Sequence, residues 1–422
     1  MEHTFVLKGN ICYSKNYKEL SLHENAYLVC ENGVCAGVFD QLPERYASLP
    51  VTDYGNRLII PGMTDLHIHA PQFAFRGMGM DKELMEWLND YTFKEECKYK
   101  EMTYAEKAYD IFVKHLSRSA TTRVVGFATI HREATELLMN KLESSGLVSF
   151  VGKVNMDRNS PDYLVESTEE SIWETHQWLD DVESRYERTK PILTPRFIPT
   201  CSNELMSALG KLAIERKLPV QSHLSENLGE IAFVKELVPE STCYGDAYER
   251  FGMFGSASPC IMAHCVHSTD EEIELMKKNG VFVAHSPESN INLRSGVAPV
   301  SRYLKMGVNC GLATDVAAGS SECMFRAMGF AIQASNLRWR LQDQDVEQLN
   351  FESVFYLATR GGGAFFGKVG AFEEGFEFDA LVIDDNDIDT SRELTLRERL
   401  VRIPYLASWQ QIEAKYVRGV KL

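Results

Sequence analysis

Several features that would assign this protein to a simple class are missing from its sequence. No run of about 18 apolar residues occurs, which excludes the usual transmembrane helix. The first residues lack the basic start and apolar stretch of a secretory signal, and none of the ten cysteines stands in a Cys-x-x-Cys pair. We therefore expect a cytoplasmic protein with reduced thiols, and neither a zinc ribbon nor a disulfide framework.

Positive charge is also scarce. The chain has 44 Lys and Arg residues against 60 Asp and Glu residues, which gives a formal net charge of −16. Such a surface repels nucleic acid and anionic membranes rather than attracting them. We expect neither as a partner, and a small-molecule substrate instead.

What the chain does have is an alternation of apolar segments and amphipathic helical segments, which is typical of parallel βα units. Its 422 residues suit one large barrel with an accessory module. The predicted fold class is therefore α/β, with a (β/α)8 TIM-like barrel over residues 61–371 as the catalytic domain. The eight predicted strands cover residues 63–69, 122–130, 148–156, 192–198, 219–224, 260–266, 281–286 and 308–315.

Short β-rich segments with turn signals occupy both ends of the chain. Asn32 and Gly33 separate two such segments and predict a hairpin. Similar segments return near the C-terminus. We therefore predict that residues 1–60 and 372–422 together form one composite small β-sandwich domain.

The connection after the first predicted strand is unusually long, at about 50 residues. Its excess, residues 72–96, begins with Gly77 and Gly79 and continues into an apolar run around Trp87. Because the carboxyl ends of barrel strands carry the active site, this insertion is placed to cover a substrate. A decorative surface insertion is the alternative.

The most informative motif is the His-x-His pair His67 and His69 at the end of the first predicted strand. Alternate side chains of a strand face the same side, so the two imidazoles converge, with two ordinary strand histidines as the alternative. His223 and His264 end the fifth and sixth strands, and Asp315 ends the eighth. Because all eight strand ends meet at one rim, these side chains predict a divalent transition metal that keeps one position open for water.

Two of these residues, and one neighbour, have predicted roles in proton transfer. His264 is either a metal ligand or an outer base that orients the water, and with four other ligands available we favour the outer role. Asp315 would bind metal and accept the proton of the water, although an Asp that caps a helix is the alternative. Glu226 follows His223 by three residues and is placed to move protons between the water and a substrate nitrogen, unless it is an ordinary surface Glu.

The end of the fourth predicted strand carries Arg196. Many metal hydrolases on this barrel place a lysine there to bridge two metals, and a guanidinium cannot deprotonate to become a ligand. We therefore expect one metal. Arg196 is then free to hold a polar substrate edge, and Phe197 is placed to stack on a planar ring; a structural ion pair and a core aromatic are the respective alternatives.

These residues resemble the amidohydrolase superfamily and, within it, the guanine deaminases of the metal-dependent barrel type. The resemblance covers nearly the whole chain, through residues 61–72, 84–88, 91–93, 195–197, 223–227, 286–290 and 314–316. It implies zinc as the first choice and iron as the second. The implied metal ligands are His67, His69, His223 and Asp315, with His264 beside the water.

The resemblance also implies what the remaining residues do. Gln72, Arg196 and Phe197 would hold a purine, and Glu226 would protonate its N3 atom while water replaces the exocyclic amine. The implied reaction is hydrolytic deamination of guanine to xanthine and ammonia by a metal-activated water, in a homodimer. A deaminase of another aminopurine or a pterin is one alternative; a metal-free scaffold protein of the amidohydrolase fold is another, and it predicts missing ligands, whereas none is missing.

Overall fold

Strands and helices alternate through the middle of the chain, as the sequence predicts. The computed structural model describes residues 4–422. Its strands are β1 (Phe5–Asn16), β2 (Glu19–Glu31), β3 (Val34–Phe39), β4 (Val51–Pro61), β5 (Met63–His69), β6 (Thr121–Phe127), β7 (Val148–Gly152), β8 (Val154–Asn155), β9 (Thr189–Pro191), β10 (Thr194–Pro195), β11 (Val220–Leu224), β12 (Cys260–His264), β13 (Phe282–His285), β14 (Asn309–Leu312), β15 (Ala380–Ile383), β16 (Ile412–Val417) and β17 (Val420–Lys421).

The helices fall between these strands. They are α1 (Leu84–Trp87), α2 (Phe93–Glu96), α3 (Met102–Arg118), α4 (Arg132–Ser145), α5 (Thr168–Val182), α6 (Asn203–Arg216), α7 (Leu228–Leu237), α8 (Tyr244–Arg250), α9 (Asp270–Asn279), α10 (Pro287–Asn292), α11 (Val300–Met306), α12 (Met324–Leu341), α13 (Phe351–Tyr356) and α14 (Leu396–Leu406). Within residues 4–422, none of them combines the length and the apolar character that crossing a membrane requires.

The central strands close into the predicted (β/α)8 barrel. Two parallel sheets, β5-β6-β7-β9 and β11-β12-β13-β14, supply eight strand positions. A parallel bridge between Leu193 and Val220 joins the two sheets on one side. On the other side, the backbone N–H of Asp315 donates to the carbonyl of His67 at 2.9 Å, and that of His69 to the carbonyl of Val316 at 3.1 Å.

Side chains fill the inside of the barrel, so it is a packed core and not a channel. Most of the strand positions contribute to this cluster, which Phe365 and Phe366 join from outside the strands. Its buried members are Leu66, Val125, Ile192, Ile261, Ala263, Ala284 and Ala313. The carboxyl ends of the strands therefore stand above an apolar floor.

The fourth strand is shorter than its sequence pattern predicts. Residues 192–198 are expected as one strand, whereas the structure has β9 before that segment and only the two-residue β10 within it. Pro191 and Pro195 lack the N–H that a continuous ladder needs. Arg196 and Phe197 nevertheless follow β10 at the rim of the barrel.

Both termini join in one sheet, as predicted, with strand order β17-β16-β15-β4-β1-β2-β3. Its hydrogen bonding is continuous, and register shifts between β1 and its neighbours mark bulges that bend it. The bending brings the ring of Phe5 within 5.3 Å of the ring of Phe378 and 5.4 Å of the ring of Tyr416. The two halves of the sheet thus enclose one apolar core.

Candidate active site

The paired histidines His67 and His69 lie at the carboxyl end of β5. A register shift between Asp65 and Ile68 marks a bulge in this strand, which allows Leu66 to fill the barrel while both histidines reach its mouth. Their Nε2 atoms lie 3.2 Å apart. The convergence expected from the spacing of two is therefore present.

His223 and Asp315 complete a compact group of ligand atoms with this pair. The Nε2 atoms of His69 and His223 lie 3.3 Å apart, and Oδ1 of Asp315 lies 3.2 Å from Nε2 of His67 and 3.4 Å from Nε2 of His69. Ligands about 2.0–2.1 Å from a tetrahedral Zn²⁺ are about 3.3 Å from one another. The measured pairs match this spacing, and two overlapping sets of candidate ligands result, His67 with His69 and His223, and His67 with His264 and Asp315.

The protonation of these groups also suits a metal. Burial lowers the pKa of His69 and of His223, which keeps both imidazoles neutral. The Nδ1 atom of His223 donates to the carbonyl of Arg196 at 2.7 Å and leaves Nε2 with its lone pair. Burial raises the pKa of Asp315, but His67 and His264 outweigh it and bring that pKa to about 2.

His264 stands slightly apart from the compact group. Its Nε2 atom lies 3.8 Å from Oδ2 of Asp315 and 3.5 Å from Oε2 of Glu226, and its Nδ1 donates to Oδ1 of Asn290 at 2.8 Å. Burial lowers the pKa of His264, yet Glu226 and Asp315 together raise it overall. The imidazole is thus placed between two carboxylates, with its free nitrogen toward both.

The backbone at these strand ends is held in an uncommon conformation. His264 has a φ of 72° and Asp315 a φ of 49°, both in the left-handed region that side chains other than glycine seldom adopt. Such strain is kept only where the surrounding structure enforces it. This backbone conformation directs the side chains of His264 and Asp315 toward the mouth of the barrel.

Glu226 is 3% exposed and lies in the loop after β11. The hydroxyl of Ser295 donates to its Oε1 at 3.1 Å, while its backbone N–H donates to Oε2 of Glu230 at 3.1 Å. Burial raises the pKa of Glu226, Asp315 adds to that rise, and His264 opposes it. This carboxylate is therefore a stronger base than that of an exposed Glu.

His69, His223, Glu226, His264 and Asp315 line one pocket at the mouth of the barrel. Leu84, Trp87 and Leu88 from the insertion form part of its wall, so the insertion does cover the site. The remaining lining residues are Gln72, Arg196, Phe197, Leu293 and Ala318.

Arg196 is buried opposite the histidines. Its Nη1 donates to Oε2 of Glu96 at 2.7 Å and its Nη2 to Oε1 of the same carboxylate at 3.3 Å. The guanidinium also lies over the ring of Phe93, with 5.3 Å between its central carbon and the ring centroid. Arg196 is thus both an ion-pair partner and a wall of the pocket, so the two alternatives drawn from the sequence hold together.

A sequence profile of the amidohydrolase family matches residues 58–417. The chain belongs to the amidohydrolase family. A guanine deaminase of Dictyostelium discoideum is 37% identical over 416 residues, which are 96% of this chain and 90% of that protein. The guanine deaminase of Escherichia coli K12 is 32% identical over 390 residues, 90% of this chain and 85% of that protein.

Solved structures give the same grouping for this amidohydrolase. The structure of guanine deaminase from C. acetobutylicum, with guanine bound in its active site, is 46% identical and superposes with a TM-score of 0.96. The match covers 99% of this chain and all of the other. The fold and the family therefore rest on the full length of the barrel and the terminal sheet.

Sequence reasoning missed several residues that hold this amidohydrolase site together. Asp65 accepts hydrogen bonds from the backbone N–H of Thr314 at 3.0 Å and from its hydroxyl at 2.5 Å, which ties β5 to the end of β14. Its place two residues before His67 is a signal that the sequence offered. Asn290 lies in the segment 286–290 that carries the resemblance, but its contact with His264 was not predicted; Ser295 and Glu96 gave no signal, because their partners are distant in the chain.

Proposed function

We propose that this chain catalyses the hydrolytic deamination of guanine, releasing ammonia and leaving xanthine. The observation that carries the proposal is the convergence of five ionisable groups beside a pocket at the mouth of the barrel. The guanine bound in the related structure, at 46% identity, supports the same substrate. The proposal assigns a role to each predicted site residue.

His67, His69, His223 and Asp315 would hold one metal ion, with zinc as the first choice and iron as the second. Three imidazoles and a carboxylate are the ligand types that these metals accept, and the spacing of the four atoms fits. When bound, the metal supplies acidity, lowering the pKa of a water to about 7. Arg196 forms an ion pair with Glu96, and a guanidinium cannot act as a metal ligand, which is consistent with a single metal ion.

Glu226 would carry the protons of the reaction. It takes a proton from the water as oxygen bonds to C2 of guanine, and it gives that proton to N3, which removes the aromaticity of the ring. The second proton of the former water would pass from the new C2 hydroxyl by way of Asp315 to the exocyclic nitrogen; C2=O forms as the C2–N bond breaks, and ammonia leaves. His264 and Asp315 lie within 3.8 Å of each other and would orient the water for this attack.

Gln72, Arg196 and Phe197 would hold the purine. Arg196 presents N–H donors on the wall facing the histidines, and the ring of Phe197 lies on the same side of the pocket. A planar ring bound between them exposes C2 toward the ligand group. Trp87 and Leu88 of the insertion would exclude bulk water above it.

The direct test measures ammonia release by metal-loaded enzyme from guanine, adenine, 8-oxoguanine, cytosine and a pterin. We expect the highest kcat/KM with guanine. A higher kcat/KM with another ring would make that ring the preferred substrate, and hydrolytic deamination would still be the reaction. Release from none of them would favour a scaffold protein.

Metal analysis of the purified protein tests the cofactor separately. We expect about one zinc or iron per chain, from the single set of ligands. Two metals per chain, or none that binds in a titration, would contradict the ligand assignment. The homodimer, the cytoplasmic location and the absence of nucleic-acid and membrane partners stay predictions.

A further inference from the structure

Glu96 is an acidic residue that the proposed reaction does not use. It ends α2 at the close of the insertion and is only 2% exposed. A buried carboxylate is costly unless its partners compensate for it. Its partners are the two polar residues of the wall that faces the histidines, Gln72 and Arg196.

The contact with Gln72 fixes the orientation of an amide. The Nε2 atom of Gln72 lies 2.8 Å from Oε1 of Glu96. A carboxylate accepts hydrogen bonds and does not donate them, so the amide must turn its NH₂ group toward Glu96. The Oε1 atom of Gln72 has only a 3.4 Å contact with the backbone N–H of Ala317 and keeps a lone pair for a ligand.

The contact with Arg196 fixes a set of donors. Glu96 holds Nη1 and Nη2 in a two-point pair, and Phe93 lies against the face of the guanidinium. The remaining N–H groups of the planar fork are thereby held in place at the pocket wall. The carboxylate also balances the charge of Arg196, so the wall does not require an anionic ligand.

We propose that Glu96 is a positioning residue that makes this pocket selective for rings with a cyclic amide edge, a carbonyl next to an N–H. The inference rests on the proposed function and deepens it. In guanine this edge is O6 beside N1–H: O6 accepts from Arg196, and N1–H donates to Oε1 of Gln72. A 6-aminopurine presents the reverse pattern, a donor where Arg196 donates and an acceptor where Gln72 accepts.

The test compares binding of hypoxanthine and adenine to the metal-loaded enzyme by calorimetry. Hypoxanthine has the amide edge without the amine at C2, whereas adenine has the reversed edge. Wild type should prefer hypoxanthine. In Glu96→Gln the new amide can accept or donate, Gln72 can turn over, and we expect the preference to fall at least about 10-fold.

The steady-state readout separates positioning from general damage. For guanine, Glu96→Gln should raise KM about 10- to 100-fold with a much smaller change in kcat, because the groups it positions hold the ring and not the water. Metal content should stay at the wild-type level. An equal loss of binding for hypoxanthine and adenine would overturn the proposal and leave Glu96 a structural residue.

Glu95→Gln is the matched control. Glu95 precedes Glu96 on the same helix and is 7% exposed, but it pairs with Lys98 at 2.6 Å and with the hydroxyl of Tyr104, away from the pocket. The same substitution there should leave the preference for hypoxanthine unchanged. A loss of preference in the control as large as in Glu96→Gln would also overturn the proposal.

A second variant keeps the proposal open to disproof if Glu96→Gln does not fold. Gln72→Met removes the acceptor without leaving a buried charge unpaired, and it should reduce the same preference. An unchanged preference in Gln72→Met would contradict the assigned edge. If wild type prefers hypoxanthine yet releases no ammonia from guanine, the proposed function fails while the amide-edge selectivity stands.

Discussion

Two polar clusters in this molecule differ in residue type and in what their atoms contact. The mouth cluster consists of His67, His69, His223, His264 and Asp315 at the rim of the barrel. The seam cluster consists of Arg123, Glu377, Asp379 and Lys415, where the terminal sheet meets the barrel. His223 and Glu377 are partly exposed, and the other members are buried, where polar groups are expensive.

In the seam cluster every cation has acceptors. Arg123 donates to Asp379 at 2.7 Å and to Glu377 at 2.9 Å. Lys415 donates to the carbonyls of Ser117 at 2.8 Å and Thr121 at 2.9 Å, beside the C-terminus of α3. Within itself this cluster is satisfied, and its role is to join two parts of the fold.

The mouth cluster is not satisfied in this way. The Nε2 atoms of His69 and His223 lie 3.3 Å apart, and burial lowers the pKa of both rings, which keeps them neutral. Neutral imidazole nitrogens that converge on one point are the arrangement that a transition metal requires of its ligands. Convergence of such nitrogens, rather than burial or polarity, therefore marks the mouth cluster as the candidate ligand site.

The largest expected effect comes from removing one predicted metal ligand from the mouth cluster. His69→Ala should lose bound metal and lower kcat for guanine by at least about 1,000-fold, because the metal no longer lowers the pKa of the attacking water to about 7. Metal analysis and ammonia release measure both. Circular dichroism should match that of wild type, and full activity with metal retained would remove His69 from the ligands.

Glu226→Gln should leave the metal in place and remove the proton carrier. We expect kcat to fall by about 100- to 10,000-fold, with metal content near wild type and hypoxanthine still bound. Steady-state kinetics and calorimetry check this split. Near-normal turnover would show that another group carries the protons.

Breaking the seam cluster should affect stability and spare the chemistry. Arg123→Met leaves Asp379 buried and unpaired, and we expect a loss of about 3–5 kcal/mol in the free energy of unfolding. Urea unfolding measures this loss, and kcat per folded molecule should not change. The double variant with Asp379→Leu should recover part of the loss; failure to do so would mean that the ion pair itself is not the cause.

The smallest expected effect is a pH dependence at Lys415. Burial lowers its pKa from 10.5 to about 7, although Asp379 opposes this. Between those values the unfolded chain binds one more proton than the folded one, so this group makes the folded state more stable as pH rises. Relative to Lys415→Met, wild type should gain stability from pH 7 to pH 9 in urea unfolding; the opposite slope would contradict the lowered pKa.

The sequence alone predicted the candidate ligands because their signal is local. His67 and His69 face one side by the two-residue period of a strand, and His223, His264 and Asp315 each end an apolar segment whose strand type the pattern predicts. In a closed parallel barrel all those ends share one rim. Residue type, spacing and fold class were therefore sufficient to predict that these side chains and Glu226 meet at the mouth of the barrel.

Other features depended on the tertiary structure. The bulge that lets Leu66 fill the barrel while His67 reaches its mouth depends on how β5 pairs with β6. The division of the fourth strand into β9 and β10 depends on where Pro191 and Pro195 fall in the hydrogen-bond ladder. Glu96 reaches Arg196 across 100 residues of chain, and Asp65 reaches Thr314 across 249. No local period encodes such contacts, because they depend on how the barrel closes and where the insertion folds back. The sequence thus determined which chemistry is present, and the closed barrel decided which residues hold it and which edge of a substrate it can recognise.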